Sequence, residues 1–218
     1  SDLNMIVKRT SNMAAGTPSA GITFGGQCAG GPSRVTCTEE FDGSAFTAGG
    51  ALITARGSTS GGGTQNAGIA MAGGSTGSDG LACTEEYDGS LFTAGGNMIA
   101  GRQGGSGGGT QNAAVYTMGY APPAAVACTE HYNGSSWSSA NAINNIRSES
   151  SFTGTQNSAI VMGGLPGPKS CVEEYNGTSW SNTTAMPTAR SGVNLSGTTN
   201  DAIMAGGGES ATSDAFAW

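Results

Sequence analysis

The stretch from Cys83 to Arg102, CTEEYDGSLFTAGGNMIAGR, decides the fold, because copies of it recur along the chain at nearly constant spacing. The other copies begin at Cys37, Cys128 and Cys171, so successive copies are 46, 45 and 43 residues apart. A period of this length is typical of propeller blades and of helical hairpins. Many short apolar segments bounded by Gly, Asn and Asp favour strands over helices.

Each repeat can be divided, starting from an Arg, into four strands that we call a, b, c and d. After Arg102 come a run of small residues (QGGSGGG), the turn GTQN, an apolar strand (AAVYTMG), the strand CTEHY and a strand that begins at Trp137. Asp-Gly or Asn-Gly separates strands c and d in four repeats, and such pairs readily form hairpin turns. The sequence therefore predicts an all-β propeller of four-stranded blades, with the small residues of strand a at a narrow axis and the repeated apolar and aromatic residues packed between blades.

The number of repeat arginines predicts five blades in one domain covering residues 1–218. These arginines are Arg9, Arg56, Arg102, Arg147 and Arg190. The expected blades span residues 9–54, 56–100, 102–145, 147–188, and 190–218 together with 1–8. The last repeat lacks a fourth strand, and residues 1–8 align with the d strands of the other repeats. We therefore expect the N-terminal strand to complete the last blade and close the ring, with Trp218 beside Ser1.

Composition and charge argue against several classes of protein. The formal net charge is -7, and only Lys8, Arg34 and Lys169 are basic residues outside the repeat positions. Nucleic-acid binders need a basic surface, so we expect no nucleic-acid partner. The sequence has no run of about 18 apolar residues, so we expect no membrane insertion. Four of the five cysteines hold equivalent repeat positions and are expected to be small buried residues, whereas pairing of Cys28 with Cys37 remains open.

The acidic pairs of strand c are the main candidates for chemistry. They are Glu39-Glu40, Glu85-Glu86, Glu130-His131 and Glu173-Glu174. Alternation along a strand points the two members to opposite blade faces, so we expect one member to accept hydrogen bonds from a repeat Arg. We assign this structural role to Glu40, Glu86 and Glu174, although the sequence does not distinguish the members of a pair.

Two functional roles compete with this structural role for the acids. Glycoside cleavage would require two carboxylates that converge on one cleft, and Ca²⁺ binding would require six to eight oxygen ligands. Because these acids repeat around a ring, we expect no catalytic residue, no metal and no cofactor.

The b–c connections differ in every repeat, whereas the a–b and c–d turns are nearly uniform. Scaffold positions repeat, while recognition loops are free to diverge, so a specific partner is expected at the face that carries the b–c loops. The candidate ligand-binding residues are the unrepeated Arg34, Asp79, Tyr120, Lys169 and Glu209.

The order of Arg, small strand, apolar strand ending in Gly-Gly, Glu-x-Tyr-Asp/Asn-Gly and Trp resembles the kelch repeat over essentially the whole chain. The variant GTQNAxIxMGG, followed by CTEEYDGSxW and TAGG, is similar to the Gly/Ala/Thr-rich kelch-like repeats of structural proteins from marine tailed phages. The chain departs from cellular kelch domains in having five repeats rather than six or seven and no adaptor domain. With one His, it also lacks the copper ligands of the galactose-oxidase relatives.

Together these features lead to three hypotheses about function. The first is a non-enzymatic virion component, a decoration or tail-fibre module, whose partners are other virion proteins or a host-surface glycan or protein. Its location would be the virion or the extracellular space. The alternative is a kelch-type protein-interaction module in the cytoplasm. The third is a carbohydrate-active hydrolase or lyase, which predicts clustered acidic residues at the ring axis.

Overall fold

The computed structural model describes residues 4–28, 33–75, 80–167, 169–207 and 215–217. Strands, turns and irregular connections account for all of these residues, and none of them lies in a helix. The described part of the chain therefore offers no helix that could cross a membrane. The all-β prediction is confirmed.

Twenty-three strands follow one another in the described residues. The first repeat holds β1 (Arg9–Thr10), β2 (Met13–Thr17), β3 (Ala20–Phe24), β4 (Gln27–Cys28), β5 (Thr38–Phe41) and β6 (Phe46–Ala48). The second holds β7 (Ser60–Thr64), β8 (Ala67–Met71), β9 (Thr84–Tyr87) and β10 (Phe92–Ala94). The third holds β11 (Ser106–Thr110), β12 (Ala113–Thr117), β13 (Tyr120–Ala121), β14 (Ala124–Ala125), β15 (Thr129–Tyr132) and β16 (Trp137–Ala140). The fourth holds β17 (Ser151–Thr155), β18 (Ser158–Met162), β19 (Val172–Tyr175) and β20 (Trp180–Asn182). The fifth holds β21 (Asn194–Thr198), β22 (Asp201–Ala205) and β23 (Ala215–Ala217).

The sheets form a propeller-like arrangement of blades. Four antiparallel sheets have four strands each, in the orders β2-β3-β5-β6, β7-β8-β9-β10, β11-β12-β15-β16 and β17-β18-β19-β20. The innermost strands β2, β7, β11, β17 and β21 lie beside one another in that order. Two short ribbons, β1-β4 and β13-β14, lie outside these sheets.

Small residues let the inner strands approach closely. A Cβ atom on Gly62 would lie 2.5 Å from the carbonyl oxygen of Gly109 in the next blade. A Cβ atom on Gly61 would lie 2.6 Å from the ring of Phe24 in the preceding blade. The prediction that strand a is Gly-rich because the axis is narrow is therefore confirmed at these positions.

The c–d hairpins are present in four repeats, but their turns differ from a two-residue turn. Phe41 pairs with Phe46, so four residues form the loop, and in its Asp-Gly pair only Gly43 has a positive φ, of 94°. The Asp42 carboxylate accepts hydrogen bonds from the backbone N–H of Ser44 (2.7 Å) and of Ala45 (2.8 Å). Bonds from the Ser44 side chain and from these backbone groups lower the pKa of Asp42.

The blade count differs from the prediction. Four sheets, not five, have four strands, and the fifth repeat forms a three-stranded sheet of β21, β22 and β23. Residues 4–8 form no strand. Instead, the backbone N–H groups of Ile6 and Val7 donate to Glu39 of the first blade, as those of Ile53 and Thr54 donate to Glu85. The described N-terminal segment is thus held on the first blade, where a connection from a preceding blade would lie, and not on the last sheet.

Ring closure is not seen in the described residues. Neighbouring inner strands touch along the series from β2 to β21, but β2 and β21 make no comparable contact with each other. The predicted neighbours Ser1 and Trp218 lie outside the described residues.

The hydrophobic cores lie between blades. In one of them, Ile69 and Met71 of the second blade pack against Tyr116, Tyr132 and Trp137 of the third. Equivalent clusters join the first blade to the second, the third to the fourth, and the fourth to the three-stranded sheet. The repeating apolar and aromatic residues of these clusters are therefore inter-blade core, as predicted, whereas Phe41 and Phe46 of the first blade are only half-buried.

Candidate functional site

The repeat Arg pairs with the first acid of each c strand. The ion pairs are Arg9–Glu39 (3.1 Å), Arg56–Glu85, Arg102–Glu130 and Arg147–Glu173 (3.2 Å), and all eight side chains are at most 3% exposed. Glu85, Glu130 and Glu173 also accept a backbone N–H from the connection that leaves the preceding blade, and Glu39 accepts that of Ile6 in the N-terminal segment. These acids therefore fasten adjacent blades to each other.

The predicted partners Glu40, Glu86 and Glu174 are not the acids that meet the Arg. Tyr87 donates its hydroxyl hydrogen bond to Glu40, and Tyr132 donates to Glu86 at 2.5 Å, in each case from the following blade. The sequence predicted one structural acid per pair, whereas the structure shows that both members hold blades together. The physical reason is that the two blade faces meet different neighbours.

Burial and these carboxylates change the acidity of the tyrosines. Desolvation, followed by the hydrogen bond to Glu40, raises the pKa of Tyr87 to about 12. Desolvation and the bond to Glu86 likewise raise the pKa of Tyr132 to about 12. His131 replaces the second acid in the third repeat, and its Nε2 lies 3.0 Å from the Tyr175 hydroxyl. Burial lowers the pKa of His131.

Three of the five predicted loop residues lie in the described structure, and they do not converge. Arg34 is half-buried and donates from Nε to the Ser75 carbonyl (3.2 Å) and from Nη1 to Gln27 Oε1 (3.1 Å). It thereby connects the first blade to the second. Lys169 is half-buried and pairs through its backbone with Arg190. Asp79 and Glu209 lie outside the described residues.

Tyr120, the third of these residues, borders a cavity at the start of the inner strands. Its hydroxyl donates to the Pro123 carbonyl at 3.2 Å, which fixes the ring at the end of the third blade that carries the b–c loop. The cavity has a volume of about 730 Å³, and every repeat contributes to its wall. This volume lies within the range of about 300–1,000 Å³ that is usual for small-molecule sites.

The cavity wall consists mainly of hydroxyl, amide and backbone groups. The lining residues are Ser11, Asn12, Ser58, Thr59, Ser60, Gln103, Gly104, Gly105, Ser106, Tyr120, Ser148, Glu149, Ser150, Gly192, Val193 and Asn194. Most of them come from the start of strand a and the residues just before it. Strand a begins at the end of the blade where strand b ends and strand c begins. The b–c loops lie at this end, so the cavity opens on the face of the variable loops.

At the rim of the cavity, one position has a left-handed backbone in all five repeats. It lies two residues after the repeat Arg, and its φ angles are 54° at Ser11, 50° at Ser58, 64° at Gly104, 54° at Glu149 and 59° at Gly192. Backbone bonds join neighbouring copies, since Glu149 N–H donates to the Gly104 carbonyl (2.7 Å) and Gly192 N–H donates to the Glu149 carbonyl (3.2 Å). The rim is thus a backbone scaffold that carries a side chain in three of the repeats, at Ser11, Ser58 and Glu149.

Glu149 is the functional candidate that the sequence analysis missed. It is exposed, and it is the single charged residue among those that line the cavity in the described structure. A left-handed conformation costs a residue with a Cβ atom about 1–2 kcal/mol, which favours Gly at this position, as at Gly104 and Gly192. Comparing the second residue after each repeat Arg (Ser, Ser, Gly, Glu, Gly) would have revealed this exception.

The other potential chemical groups serve the scaffold. All five cysteines are free and half-buried, so the Cys28–Cys37 pairing left open by the sequence is not formed, and the four repeat cysteines are less buried than predicted. The Cys83 sulfur accepts a hydrogen bond from Arg56 at 2.9 Å. Within the described ranges, no group of three or more His, Cys, Asp or Glu residues could hold a metal ion.

The chain matches no protein-family model, and no curated protein matches it significantly. The propeller-like fold therefore rests on the structure, while the kelch and phage resemblances stay predictions from the repeat sequence.

Proposed function

We propose that this protein is a non-enzymatic binding module that takes a glycan in its axial cavity. The observation that carries the proposal is the cavity itself, which opens on the face of the divergent loops and is walled by hydroxyls, amides and one aromatic ring. Such groups suit a sugar, because hydroxyl and amide groups exchange hydrogen bonds with its hydroxyls and an aromatic ring covers its apolar face.

The biological setting is proposed from the repeat sequence. GTQNAxIxMGG and CTEEYDGSxW are similar to kelch-like repeats of phage structural proteins, which supports a decoration or tail-fibre module on a virion. The glycan would then be carried by the host surface. Detection of the protein on purified particles by immunogold microscopy, with loss of particle binding to deglycosylated cells, tests this setting.

We also propose that the five repeats close into one ring, with the three-stranded sheet as its fifth member. Two uncovered faces support this. Ile203 of that sheet is 59% exposed, although its equivalent Ile160 is fully buried, and an apolar groove on the first blade is bordered by Met5, Phe41 and Phe46. If these faces meet, Ile203→Ser destabilises the protein about as much as Ile160→Ser. An I203S protein as stable as the wild type would refute closure.

The binding proposal is tested on a glycan array with the wild-type protein and Tyr120→Ala. We expect the wild type to retain a defined set of glycans and Y120A to lose them while keeping its melting temperature. Asp88→Asn is the matched control, because Asp88 lies in a c–d turn on the opposite face and two other repeats carry Asn there. The proposal fails if the array retains no glycan, or if Y120A binds as well as the wild type.

The glycans that the array retains also show whether the protein only binds its sugar or cleaves it. The wall of the cavity contains one carboxylate among the described residues, whereas glycoside hydrolysis ordinarily uses two. Incubation of a retained oligosaccharide with the protein should therefore return it intact in chromatography. Shortened products would instead assign the site to a hydrolase or lyase.

A further inference from the structure

Glu149 differs from its four equivalents in size and in charge. The rim position has a left-handed backbone in every repeat, and the other copies are Ser or Gly. This conformation disfavours every residue that has a Cβ atom, Ser and Glu alike, so the backbone setting does not account for a Glu there. The carboxylate also has no hydrogen-bond or ion-pair partner within the described structure, in contrast to the buried Glu85 and Glu130.

The surroundings of Glu149 favour a positively charged group. A Cβ atom on Gly104 would lie 3.8 Å from Cγ of Glu149, so the side chain lies across the neighbouring repeat at the rim. The described residues that line the cavity include neither Lys nor Arg. One negative charge in a concave wall of neutral groups attracts a cation and repels an anion.

The chemistry of the wall favours an ammonium group over a metal ion. Ca²⁺ takes six to eight oxygen ligands and usually several carboxylates, whereas the described wall offers one acid. A protonated amine needs a single carboxylate, with hydroxyl oxygens to accept its remaining hydrogens. Ser148, the neighbour of Glu149 in the chain, supplies such a hydroxyl in the wall, whereas the buried Ser150 hydroxyl donates to the Gly163 carbonyl at 2.9 Å.

We propose that the axial cavity binds an amino sugar with a free, protonated amine, and that Glu149 determines this specificity. The proposal rests on the glycan-binding function above and names the class of glycan. The Tyr120 ring packs on a pyranose ring, the wall hydroxyls and amides bind its hydroxyls, and the Glu149 carboxylate accepts hydrogen bonds from the ammonium group.

Three disaccharides with the same linkage provide the test. Diglucosamine carries amines, diacetylchitobiose carries neutral acetamides and cellobiose carries hydroxyls at the same positions. Calorimetric titration should give a Kd for diglucosamine at least tenfold below that for either neutral sugar. Glu149→Gln should weaken diglucosamine binding at least tenfold and leave cellobiose binding within twofold.

Controls separate recognition from net charge and from misfolding. Asp88→Asn removes one charge from the opposite face and should leave all three affinities unchanged. Glu149→Gly removes the side chain at a position where two repeats already have Gly, so it should fold with an equal or higher melting temperature and bind diglucosamine as weakly as E149Q.

The outcomes distinguish this inference from the function on which it rests. If Tyr120-dependent sugar binding occurs without preference for the amine, or if E149Q retains it, the inference is wrong and the binding function stands. If D88N loses affinity as E149Q does, the preference reflects net charge and the inference is also wrong. If none of the three sugars and no arrayed glycan binds, both proposals fail.

Discussion

The variant Glu85→Gln tests how much the buried ion pair between Glu85 and Arg56 stabilises the folded protein. The Glu85 carboxylate accepts hydrogen bonds from the backbone N–H groups of Ile53 (2.7 Å) and Thr54 (3.0 Å) and from the guanidinium of Arg56. Arg56 is fully buried, and its other bonds go to neutral groups, among them the Cys83 carbonyl at 2.9 Å. Glu85→Gln therefore leaves a buried guanidinium without a counter-charge.

The expected cost follows from this burial. Breaking a buried ion pair by removing one partner costs about 3–5 kcal/mol. The amide NH2 group of Gln would also point at one or more of the N–H donors that Glu85 accepts. Those donors would then lack a hydrogen-bond partner, which further lowers the free energy of unfolding. With a urea m-value of about 2 kcal/mol/M, a loss of about 4 kcal/mol lowers the unfolding midpoint by about 2 M.

Urea unfolding monitored by tryptophan fluorescence measures this difference, with Glu86→Gln as the neighbouring control. Glu86 is half-buried and accepts the Tyr132 hydroxyl; because the Gln oxygen still accepts this bond without the charge, E86Q should cost about 1 kcal/mol, which is less than E85Q. Arg56→Met combined with Glu85→Gln should recover a large part of the loss, because no buried charge then remains. The reasoning is refuted if E85Q unfolds within 1 kcal/mol of the wild type, or if R56M/E85Q is the least stable variant.

Three further predictions concern the blade contacts. Gly50→Ala should lower the melting temperature sharply, because its Cβ would lie 2.1 Å from a backbone oxygen of the next blade, whereas Gly68→Ala, whose Cβ would meet nothing nearer than 3.4 Å, should not. Since the pKa of Tyr87 is raised to about 12, the neutral phenol contributes fully to the free energy of unfolding below pH 10, and this contribution is lost between pH 10 and about 12. Ultraviolet titration should show Tyr87 ionising at a lower pH in Glu40→Gln than in the wild type. Because burial lowers the pKa of His131, its neutral form stabilises the fold above about pH 6.5, and this contribution is lost as the pH falls. In His131→Glu, the melting temperature should therefore fall less than in the wild type as the pH is lowered below about 6.5.

Most of the secondary structure could be predicted from the repeats. The strands, the c–d hairpins and the inter-blade aromatic positions follow from local patterns that recur with the blade period, and the structure confirms them at residues such as Tyr132 and Trp137. The candidate site was harder to predict. The sequence singles out Tyr120 as an unrepeated loop residue, but Arg34 is held by partners in its own chain, and Glu149 lies just before a strand whose repeated pattern predicts only scaffold.

The sequence by itself determined the repeat, the all-β class and the alternation that gives each acidic pair two faces. Only the tertiary structure decided that Glu85, and not Glu86, meets the buried Arg, because alternation does not say which face of a blade its neighbour covers. It also decided that the described N-terminal segment is held by Glu39 and that Glu149 lines the cavity. These outcomes depend on how successive blades rotate about the axis, and that rotation is a property of the whole series of inter-blade contacts rather than of any one repeat.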